Sequence, residues 1–432
     1  MRSDRLMPTR RRGRRRSRVA TAIALAATLA LAACGGDDGN SNASGGGGDG
    51  GKLGKTNVGV LVPLTGELGD FGKSWQEAAN LARDQINAAS TDLKIETMVA
   101  DEKTNAQVGV TEARRLISQK DVAAIVGPTS EIMVALAPIA KREEVPVISG
   151  AAGTVQLNKL GGDWLFRTVA SDDADGVAIA KYLHAQDAQD VVMVVEQQGS
   201  LPSIGAAIAN SFKNQGGSVK GTVTFNPGQS SYRTEVGNVL KQSPGWIVCA
   251  CGQESGANII KEVHSSGYDG KWMLSSDNAT SDTIKTVGAD VIEGMHSETP
   301  STDTKSAEYK AFAKAYEDKY GSPPELLVAN VYDATMLAAL AMVKAGSTDG
   351  PAVRDALREV ANPPGKKVST FEDGLTALKA GEDIDFDGAS GPVDFDDTGT
   401  VASSYTILEA KSGKWQPIEF YPASDIAELL GA

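Results

Sequence analysis

The sequence predicts an α/β protein in which parallel sheets are covered by helices on both faces. From Asn57 onward, short runs of β-branched residues alternate with longer amphipathic stretches, as in the strand 58–62 and the helix 75–88. Alternation of this kind is typical of βαβ units in doubly wound sheets. The alternation restarts after Thr168, and the roughly 375 residues that it covers are more than one hydrophobic core usually spans. We therefore expect two doubly wound lobes.

The two series can be followed element by element, because the predicted strands are short apolar runs and the predicted helices carry apolar residues at helical spacing. In the first series the strands are 58–62, 93–100, 122–126 and 145–149, and the helices are 75–88, 105–120 and 130–143. In the second series the strands are 191–195, 218–224, 246–250 and 271–275, and the helices are 173–186, 201–214, 231–241 and 255–266.

The C-terminal part of the chain has a different pattern. Long helical patterns run from about 306 to 360, including 326–345, and a Pro/Gly break follows at 362–365. Three short strands close the chain, near 392–396, 404–409 and 414–420.

The N-terminus resembles the signal segment of an exported protein. Nine Arg residues crowd the first 18 positions, and the apolar run 19–33 is shorter than the roughly 20 residues that span a bilayer. The run ends in Leu-Ala-Ala-Cys34, which resembles a bacterial lipobox and predicts removal of 1–33 and lipidation of Cys34. The alternative is an ordinary secretory signal followed by an incidental Cys. Residues 34–56 are rich in Gly, Asp and Ser, which predicts a flexible tether.

The charge of the chain disfavours two classes of partner. The net charge is −13, and removal of the Arg-rich segment 1–33 would lower it to about −21. A surface this acidic disfavours nucleic acid and anionic membrane as binding partners. Its simplest role is to keep an exported protein soluble.

The cysteines and histidines predict no metal site. A Cys-x-Cys pair on a strand is poorly placed for a disulfide, so we expect Cys249 and Cys251 to be buried thiols. The histidines are scattered, and we expect neither a metal nor a cofactor. Segment 383–394 has the Asp spacing of a calcium loop, and the alternative is a strand edge with solvated Asp side chains.

Candidate binding residues follow several predicted strands, where ligands sit in open α/β sheets. Thr129 and Ser130 lie at the start of a helix, where hydroxyl and N–H groups hold a carboxylate well, although Ser130 as an ordinary N-cap is the alternative. The turn 149–154 consists of small residues that let a ligand approach the backbone. Asp277 follows another strand and would face these donors, unless it only caps a helix. Such a set of groups suits a zwitterion.

Complete enzyme signatures are absent from the sequence. Segment 67–74 ends like a phosphate-binding loop, but Gly66 lies one place too early for the first required glycine. No Gly-x-Ser-x-Gly motif occurs, and no nucleophile has an assigned base. We therefore predict that the chain captures a small molecule and is not an enzyme.

Over nearly all of 57–420, the chain resembles the Leu/Ile/Val-binding branch of the periplasmic solute-binding proteins. The order and spacing of several short segments carry this resemblance, whereas no single segment is specific. The segments are Val58-Gly-Val-Leu-Val-Pro-Leu-Thr-Gly66, Ile125-Val-Gly-Pro-Thr-Ser130, Val145-Pro-Val-Ile-Ser149, Phe166-Arg-Thr168, Tyr332-Asp-Ala334 and Gly391-Pro-Val-Asp-Phe-Asp396.

The resemblance implies a type I periplasmic-binding fold, with two lobes joined by three crossings and a ligand cleft between them. The first lobe would comprise 57–170 and about 299–389, and the second would comprise 171–298 and about 390–432. The resemblance also implies an extracytoplasmic receptor that serves the permease of an ABC importer, here with a lipid anchor in the membrane, and we expect a monomer. A receptor for a membrane sensor and an amidase-like enzyme on the same fold are the alternatives.

The resemblance also assigns residues to the two ends of an amino acid. Ser130, with Thr129 beside it, would hold the carboxylate, and Asp277 would meet the ammonium group. The second carboxylate-binding turn falls on Ala151, Ala152 and Gly153, with Thr154 adjacent. Gly153 stands where amino-acid binders carry a Thr hydroxyl, which Thr154 could replace.

The walls of the pocket depart from the family pattern. The aromatic wall positions fall on Phe71, Ser200 and Gly252, so two of the three aromatic side chains are absent, while Tyr332 is expected to contribute. The resemblance makes an amino acid the first expectation. Amides, urea-like compounds and small organic acids remain open.

Overall fold

The computed structural model describes residues 53–66 and 68–430. The predicted signal segment 1–33, the predicted lipidation site Cys34 and nearly all of the expected tether lie outside these residues. The described part of the chain is an α/β protein with parallel sheets, as the alternating sequence pattern predicts.

The first lobe is built around a parallel sheet with the strand order β2-β1-β3-β4-β5, whose apolar runs are buried from both sides. Val58, Val60 and Val62 pack on one face and Leu61 packs on the other, which explains the unbroken apolar run in the first strand. The strands are β1 (Gly54–Val62), β2 (Leu93–Asp101), β3 (Val122–Val126), β4 (Val147–Ser149) and β5 (Leu165–Arg167). The helices are α1 (Gly69–Ala89), α2 (Ala106–Lys120) and α3 (Ser130–Glu143).

The second lobe repeats this plan after β5. Val191, Met193 and Val195 pack on one face of its sheet, and Val192 and Val194 pack on the other. The strands are β6 (Asp190–Glu196), β7 (Ser218–Phe225), β8 (Trp246–Ala250), β9 (Lys271–Leu274) and β10 (His296–Ser301). The helices are α4 (Asp172–Ala185), α5 (Leu201–Asn214), α6 (Arg233–Leu240), α7 (Gln253–Ser265), α8 (Ser281–Val287) and α9 (Ala289–Ile292).

The chain then returns to the first lobe, to which it adds a helical layer and three short strands. These elements are α10 (Ala307–Tyr320), α11 (Val328–Ala345), α12 (Gly350–Ala361), β11 (Lys366–Val368), α13 (Phe371–Lys379), β12 (Ile384–Gly388) and β13 (Gly391–Pro392). Within the described residues, α11 is the helix that is long and apolar enough to cross a membrane, but 78% of it is buried inside the protein. It is a core helix of the first lobe.

The last elements complete the second sheet. They are β14 (Ser404–Lys411), β15 (Lys414–Tyr421) and α14 (Ala423–Leu430). β14 pairs antiparallel with β10 and with β15, so the order of this sheet is β15-β14-β10-β9-β8-β6-β7. The two closing strands thus form an antiparallel edge on an otherwise parallel sheet.

Three crossings connect the two sheets, after Arg167, after Ser301 and after Val401. The third crossing lies later than the expected position near 390. The reason is packing, because Phe395 contacts Phe166 with ring centroids 5.2 Å apart and Val401 also belongs to the core of the first lobe.

The predicted strand 392–396 is mostly wrong, since β13 ends at Pro392. The backbone of Phe395 forms its hydrogen bonds with a side chain and not with a neighbouring strand. Its N–H donates to Asn362 Oδ1 at 2.9 Å, and its carbonyl accepts from Asn362 Nδ2 at 2.7 Å. A polar residue far along the chain therefore replaces the expected strand partner.

The expectation of two thiols is wrong, because Cys249 and Cys251 form a disulfide. The expectation assumed that both residues lie on an extended strand, whereas β8 ends at Ala250. The chain turns there, and the two Cα atoms come within 5.4 Å of each other, which is the usual range for a disulfide.

The calcium-like motif folds as a strand, not as a loop. β12 pairs with β11 and β13, and Lys367 on β11 forms ion pairs with Asp385 at 3.4 Å and Asp387 at 2.6 Å. Across residues 53–66 and 68–430, no three His, Cys, Asp or Glu side chains are grouped to hold a metal ion. The motif therefore forms a strand, but β12 is the central strand of its three-stranded sheet and Asp385 is buried, so it is not the expected strand edge with solvated Asp side chains.

Candidate ligand-binding site

The candidate site lies where strands of the two sheets end and polar turns begin. The start of α3 follows β3, and Thr129 precedes its first residue. The Thr129 N–H and hydroxyl both donate to the buried carboxylate of Glu102, at 3.3 and 2.5 Å. Burial raises the pKa of Glu102 to about 8, although the bonds from Thr129 oppose the shift. The donors of Thr129 are therefore already used by the protein, and we do not assign it to the ligand.

Ser130 connects the start of α3 to the next turn. It is the first residue of the helix and not its N-cap, and its Oγ accepts a hydrogen bond from the Thr154 N–H at 3.3 Å. Ser130 is partly exposed, and its hydroxyl hydrogen is available to an acceptor on a ligand. The two turns that the resemblance assigned to a carboxylate are thus in contact.

The residues of the second turn differ in what they can offer. Ala152 is fully buried in the core of the first lobe, and Thr154 is buried with its Oγ1 accepting from the Gln156 N–H at 3.5 Å. Ala151 is partly exposed, and its N–H donates to Ser149 Oγ at 3.0 Å. The turn therefore offers backbone to a ligand, and the Thr154 hydroxyl does not take the place of the missing Thr at Gly153.

Arg167, at the end of β5, holds this turn from behind. Its buried guanidinium donates to the carbonyl oxygens of Ala152, Gly153 and Thr154 at 3.4, 3.0 and 3.1 Å. It also donates to Thr400 Oγ1 at 2.7 Å, on the segment that leads to the third crossing. In a trans peptide the N–H points away from the preceding carbonyl, so the Gly153 N–H faces away from the guanidinium. Arg167 thus fixes the orientation of this backbone donor.

Asp172, the first residue of α4, is the acid that sequence reasoning missed. Its N–H donates to the Gly153 carbonyl at 2.7 Å, and a Cβ added at Gly153 would lie 2.0 Å from Asp172 Oδ1. The side chain is buried close to the Ser203 hydroxyl, which stabilises its ionised form, although no well-formed hydrogen bond reaches its Oδ2 from the described residues. Burial raises the pKa of Asp172 to about 7, opposed by the charge of Arg167.

Asp277 lies in the second lobe, in a short 3-10 helix over Ser276–Asn278 after β9, and it is partly buried. Its charge helps to raise the pKa of Asp172 and of Glu298 on β10, so it lies close to both. The Ser276 N–H donates to Glu298 Oε1 at 3.1 Å. Asp277 therefore lies within electrostatic range of Asp172, which contacts the Gly153 turn.

The expected wall residues are only partly brought together. Phe71 stacks on Trp75 within α1, with ring centroids 5.9 Å apart, and is partly exposed. Ser200 precedes α5 in the second lobe and makes no side-chain capping bond. The Gly252 N–H donates to Glu196 Oε2 at 2.6 Å.

Tyr332 does not line the cleft, which corrects the sequence expectation. Its hydroxyl donates to Gln85 Oε1, and its ring packs on Phe312 with centroids 4.8 Å apart. Gln85 lies 14 residues after Phe71 on α1, which is about 21 Å along the helix axis. Tyr332 is therefore part of the packing between α1, α10 and α11.

Sequence signals for the missed residues were present but ambiguous. Asp172 follows a Ser at a helix start, and acidic residues there are ordinary helix-capping features. Arg167 lies in the Phe166-Arg-Thr168 segment, which marked the family without indicating what the guanidinium contacts. Both assignments depend on contacts with the turn at 152–154, which only the folded chain reveals.

Two α/β lobes that meet at polar turns, with a buried acid at their junction, define a class of receptors that bind a small solute between the lobes. The chain belongs to the periplasmic binding protein family, whose model matches residues 55–414. A Leu/Ile/Val-binding protein of Rhizobium johnstonii is 24% identical over 368 residues, which cover 83% of this chain and 92% of the relative.

Solved structures share the fold. A leucine-binding protein of Thermotoga maritima superimposes with a TM-score of 0.73 at 23% identity, and the match covers 86% of this chain and 99% of that one. A branched-chain amino acid transporter binding protein of Streptococcus pneumoniae, in complex with isoleucine, gives a TM-score of 0.71 at 23% identity, with 85% and 99% of the two chains covered. At this identity the likeness establishes the type I fold.

Proposed function

We propose that the protein is the extracytoplasmic solute-binding component of an ABC importer and that its solute carries an α-amino acid group. The observation that supports this proposal is Asp172, a buried carboxylate whose Oδ2 has no hydrogen-bond partner among the described residues. A buried acid in this state is costly unless it is protonated or paired with a cation. The ammonium group of a solute would satisfy it.

The other end of an amino acid would meet the first lobe. The Gly153 N–H belongs to the turn that contacts Asp172, and the Ser130 hydroxyl contacts the same turn at Thr154. A carboxylate at the start of α3 would also gain from the positive end of the helix dipole. One acid and these donors are the groups that a zwitterion requires.

Closure of the lobes would couple binding to transport. Ser130 and Gly153 belong to the first lobe, whereas Asp172 and Asp277 belong to elements of the second. Asp172 already contacts Gly153, so it is a solute that also reaches Asp277 that favours the closed form, since contacts to Asp277 and to the first lobe form together only when the lobes approach. The permease would then recognise the closed form.

A thermal-shift screen of amino acids, amides, urea-like compounds and small organic acids tests the solute class, because a ligand that binds only the folded protein raises its melting temperature. For an amino acid found in this way, Asp172→Asn should weaken binding by at least about 2 kcal/mol, or roughly 30-fold in Kd, measured by titration calorimetry. Asp290→Asn, on the exposed start of α9, is the matched control and should leave Kd unchanged.

Two results would contradict the proposal. If Asp172→Asn leaves the affinity for an amine-bearing solute unchanged, Asp172 does not hold the ammonium. If the protein converts a bound solute to product, it is an enzyme and not a receptor. If the tightest ligand is an amide or an organic acid, the protein is still a solute-binding receptor, but its solute does not carry an α-amino acid group.

The lipid anchor belongs to the same proposal. Lipidation of Cys34 would keep a soluble receptor beside its permease, and the Gly/Asp/Ser tether would let it move there. Cys34→Ser should release the protein from the membrane fraction into the soluble fraction, while Cys34 in the wild type should take up a labelled fatty acid. Membrane association of the Cys34→Ser variant would exclude this anchor.

A further inference from the structure

The second lobe contains more buried carboxyl groups beside the candidate site than one ammonium group can pair with. Four carboxylates lie near the start of α4 and affect one another's ionisation: Asp172, Asp175, Asp277 and Glu298. We call them the acidic cluster. Asp172, Asp175 and Glu298 are each more than nine-tenths buried.

The members of the acidic cluster differ in how many hydrogen bonds their carboxyl oxygens form. Asp175 interacts with the buried hydroxyl of Tyr405. Glu298 is 1% exposed, and its Oε1 accepts from the Ser276 N–H at 3.1 Å, but its Oε2 has no hydrogen-bond partner among the described residues. Together with Asp172 Oδ2, this makes two buried carboxyl oxygens that have no hydrogen-bond partner among the described residues.

The cation that acts on Asp172 does not supply the missing hydrogen bonds. Arg167 lowers the pKa of Asp172, but its guanidinium donates to neutral oxygens, including three carbonyls of the 152–154 turn and Thr400 Oγ1. Glu298 lies on β10, which pairs with β9, and the 3-10 helix that carries Asp277 follows β9. The backbone N–H that donates to Glu298 belongs to Ser276, the residue before Asp277. Glu298 thus adjoins the proposed ammonium site on the side of the second lobe.

We propose that the solute carries a second cationic group that pairs with Glu298 Oε2, so that the preferred ligand is a dibasic amino acid. This inference rests on the proposed function and specifies its substrate class. The α-ammonium would pair with Asp172 and the side-chain ammonium with Glu298. Pairing both buried carboxylates with charged donors removes the cost of leaving their oxygens unsatisfied.

Binding of the second ammonium would displace a proton. Burial raises the pKa of Glu298 to about 8, so this carboxyl is mainly protonated at neutral pH before the ligand arrives. The side-chain ammonium keeps its own proton, and the proton of Glu298 passes to solvent as the ion pair forms. A ligand without the second ammonium leaves that proton in place.

Matched pairs of ligands isolate the second charge. Lysine and norleucine have the same carbon skeleton and differ in the terminal ammonium, and ornithine and norvaline form a shorter pair. In titration calorimetry, at least one dibasic ligand should bind at least about tenfold more tightly than its neutral match. Titrations in two buffers with different ionisation heats should show more proton release for the dibasic ligand.

Glu298→Gln identifies the group that recognises the second charge. This variant should reduce the preference for the dibasic ligand to about twofold or less and should leave the affinity for the neutral match close to that of the wild type. Binding of the neutral match also shows that the variant is folded. Glu428→Gln, on the exposed face of α14, is the control and should keep the preference.

The outcomes separate this inference from the proposed function. Tight binding of neutral amino acids with no gain for either dibasic ligand would overturn the inference and leave the proposed function in place. A preference that survives Glu298→Gln would also overturn it, because another acid would then hold the second ammonium. Failure of all four amino acids to bind would overturn this inference, while the proposed function would still be decided by the wider thermal-shift screen.

Discussion

Gly153 and Asp172 constrain each other at the scale of single residues. The Gly153 carbonyl accepts from the Asp172 N–H, and a methyl group on Gly153 would overlap Asp172 Oδ1. The position of Asp172 therefore explains why this residue is a glycine and not the Thr expected from the family. There is no room for a side chain next to the buried acid.

Gly153→Ala tests this constraint. The added Cβ, at 2.0 Å from Asp172 Oδ1, forces the acid or the turn to move, and we expect about 1–3 kcal/mol of lost stability and at least tenfold weaker solute binding. Thermal unfolding and titration calorimetry measure the two effects. Gly237→Ala in α6 is the control, because a Cβ there meets nothing within 4 Å. Equal behaviour of the two variants would show that the turn adapts freely.

Buried carboxylates recur at helix starts elsewhere in this chain. Glu102 accepts from the start of α3, and Glu196 accepts from the Gly252 N–H and the Ser255 hydroxyl at the start of α7. Each acid satisfies helix N–H groups that have no partner within their own helix. Residues that look like ligand-binding donors in the sequence are therefore partly used inside the protein.

The turn at 152–154 is contacted from both lobes, by Arg167 of the first and by Asp172 of the second. Arg167 holds its carbonyls from behind, and the same guanidinium reaches Thr400 near the third crossing. The planar fork of an Arg side chain can serve several acceptors at once, whereas an ammonium group is a compact point charge. The position of the turn should therefore depend on the guanidinium itself and not only on its charge.

Arg167→Lys tests this dependence. Loss of several hydrogen bonds to the turn should lower stability by about 1–3 kcal/mol and weaken solute binding by about tenfold. Thermal unfolding and calorimetry on the same samples distinguish the two effects. Arg115→Lys, in an i,i+3 ion pair on α2, is the control and should change neither by more than about 0.5 kcal/mol. An Arg167→Lys variant with wild-type affinity would show that the turn needs only a positive charge.

At the element scale the sequence predicts most strands and helices of both series, because their periodicity is local. The errors come from contacts between distant segments. Segment 393–401 lacks a strand because Asn362 takes the hydrogen bonds of Phe395, and the Cys249–Cys251 disulfide forms because β8 ends before Cys251. Neither the hydrogen bonds of Asn362 with Phe395 nor the end of β8 before Cys251 can be predicted from the residues next to them in the sequence.

At the scale of the whole molecule, buried acids dominate the dependence of stability on pH. Several carboxyls have a pKa that burial raises above the ordinary value: Glu102 to about 8, Asp172 to about 7, Glu298 to about 8, Asp333 to about 7, and Asp175 in the same direction. In the folded chain these groups keep their protons at a pH where the unfolded chain has released them. The native state then binds more protons than the unfolded state, so stability falls as pH rises.

We therefore expect the melting temperature of the ligand-free protein to fall between about pH 5 and pH 8. Asp84 and Asp101, whose pKa values are lowered, lose their contribution only below the ordinary carboxyl range and do not affect this window. Calorimetric scans across the range measure the slope, and Glu298→Gln should reduce it by removing one of the titrating groups. A melting temperature that rises from pH 5 to pH 8 would show that the acids are ionised in the folded protein.

The sequence by itself determined the fold class, the positions of most strands and the family of this protein, since these depend on local periodicity and on the order of short segments. It also located the two turns that begin at Ser130 and Ala151. Tertiary structure alone decided that Asp172 meets Gly153, that Arg167 orients the turn and that Tyr332 packs between helices of the first lobe. These assignments depend on which distant groups are buried together, and burial is a property of the folded chain.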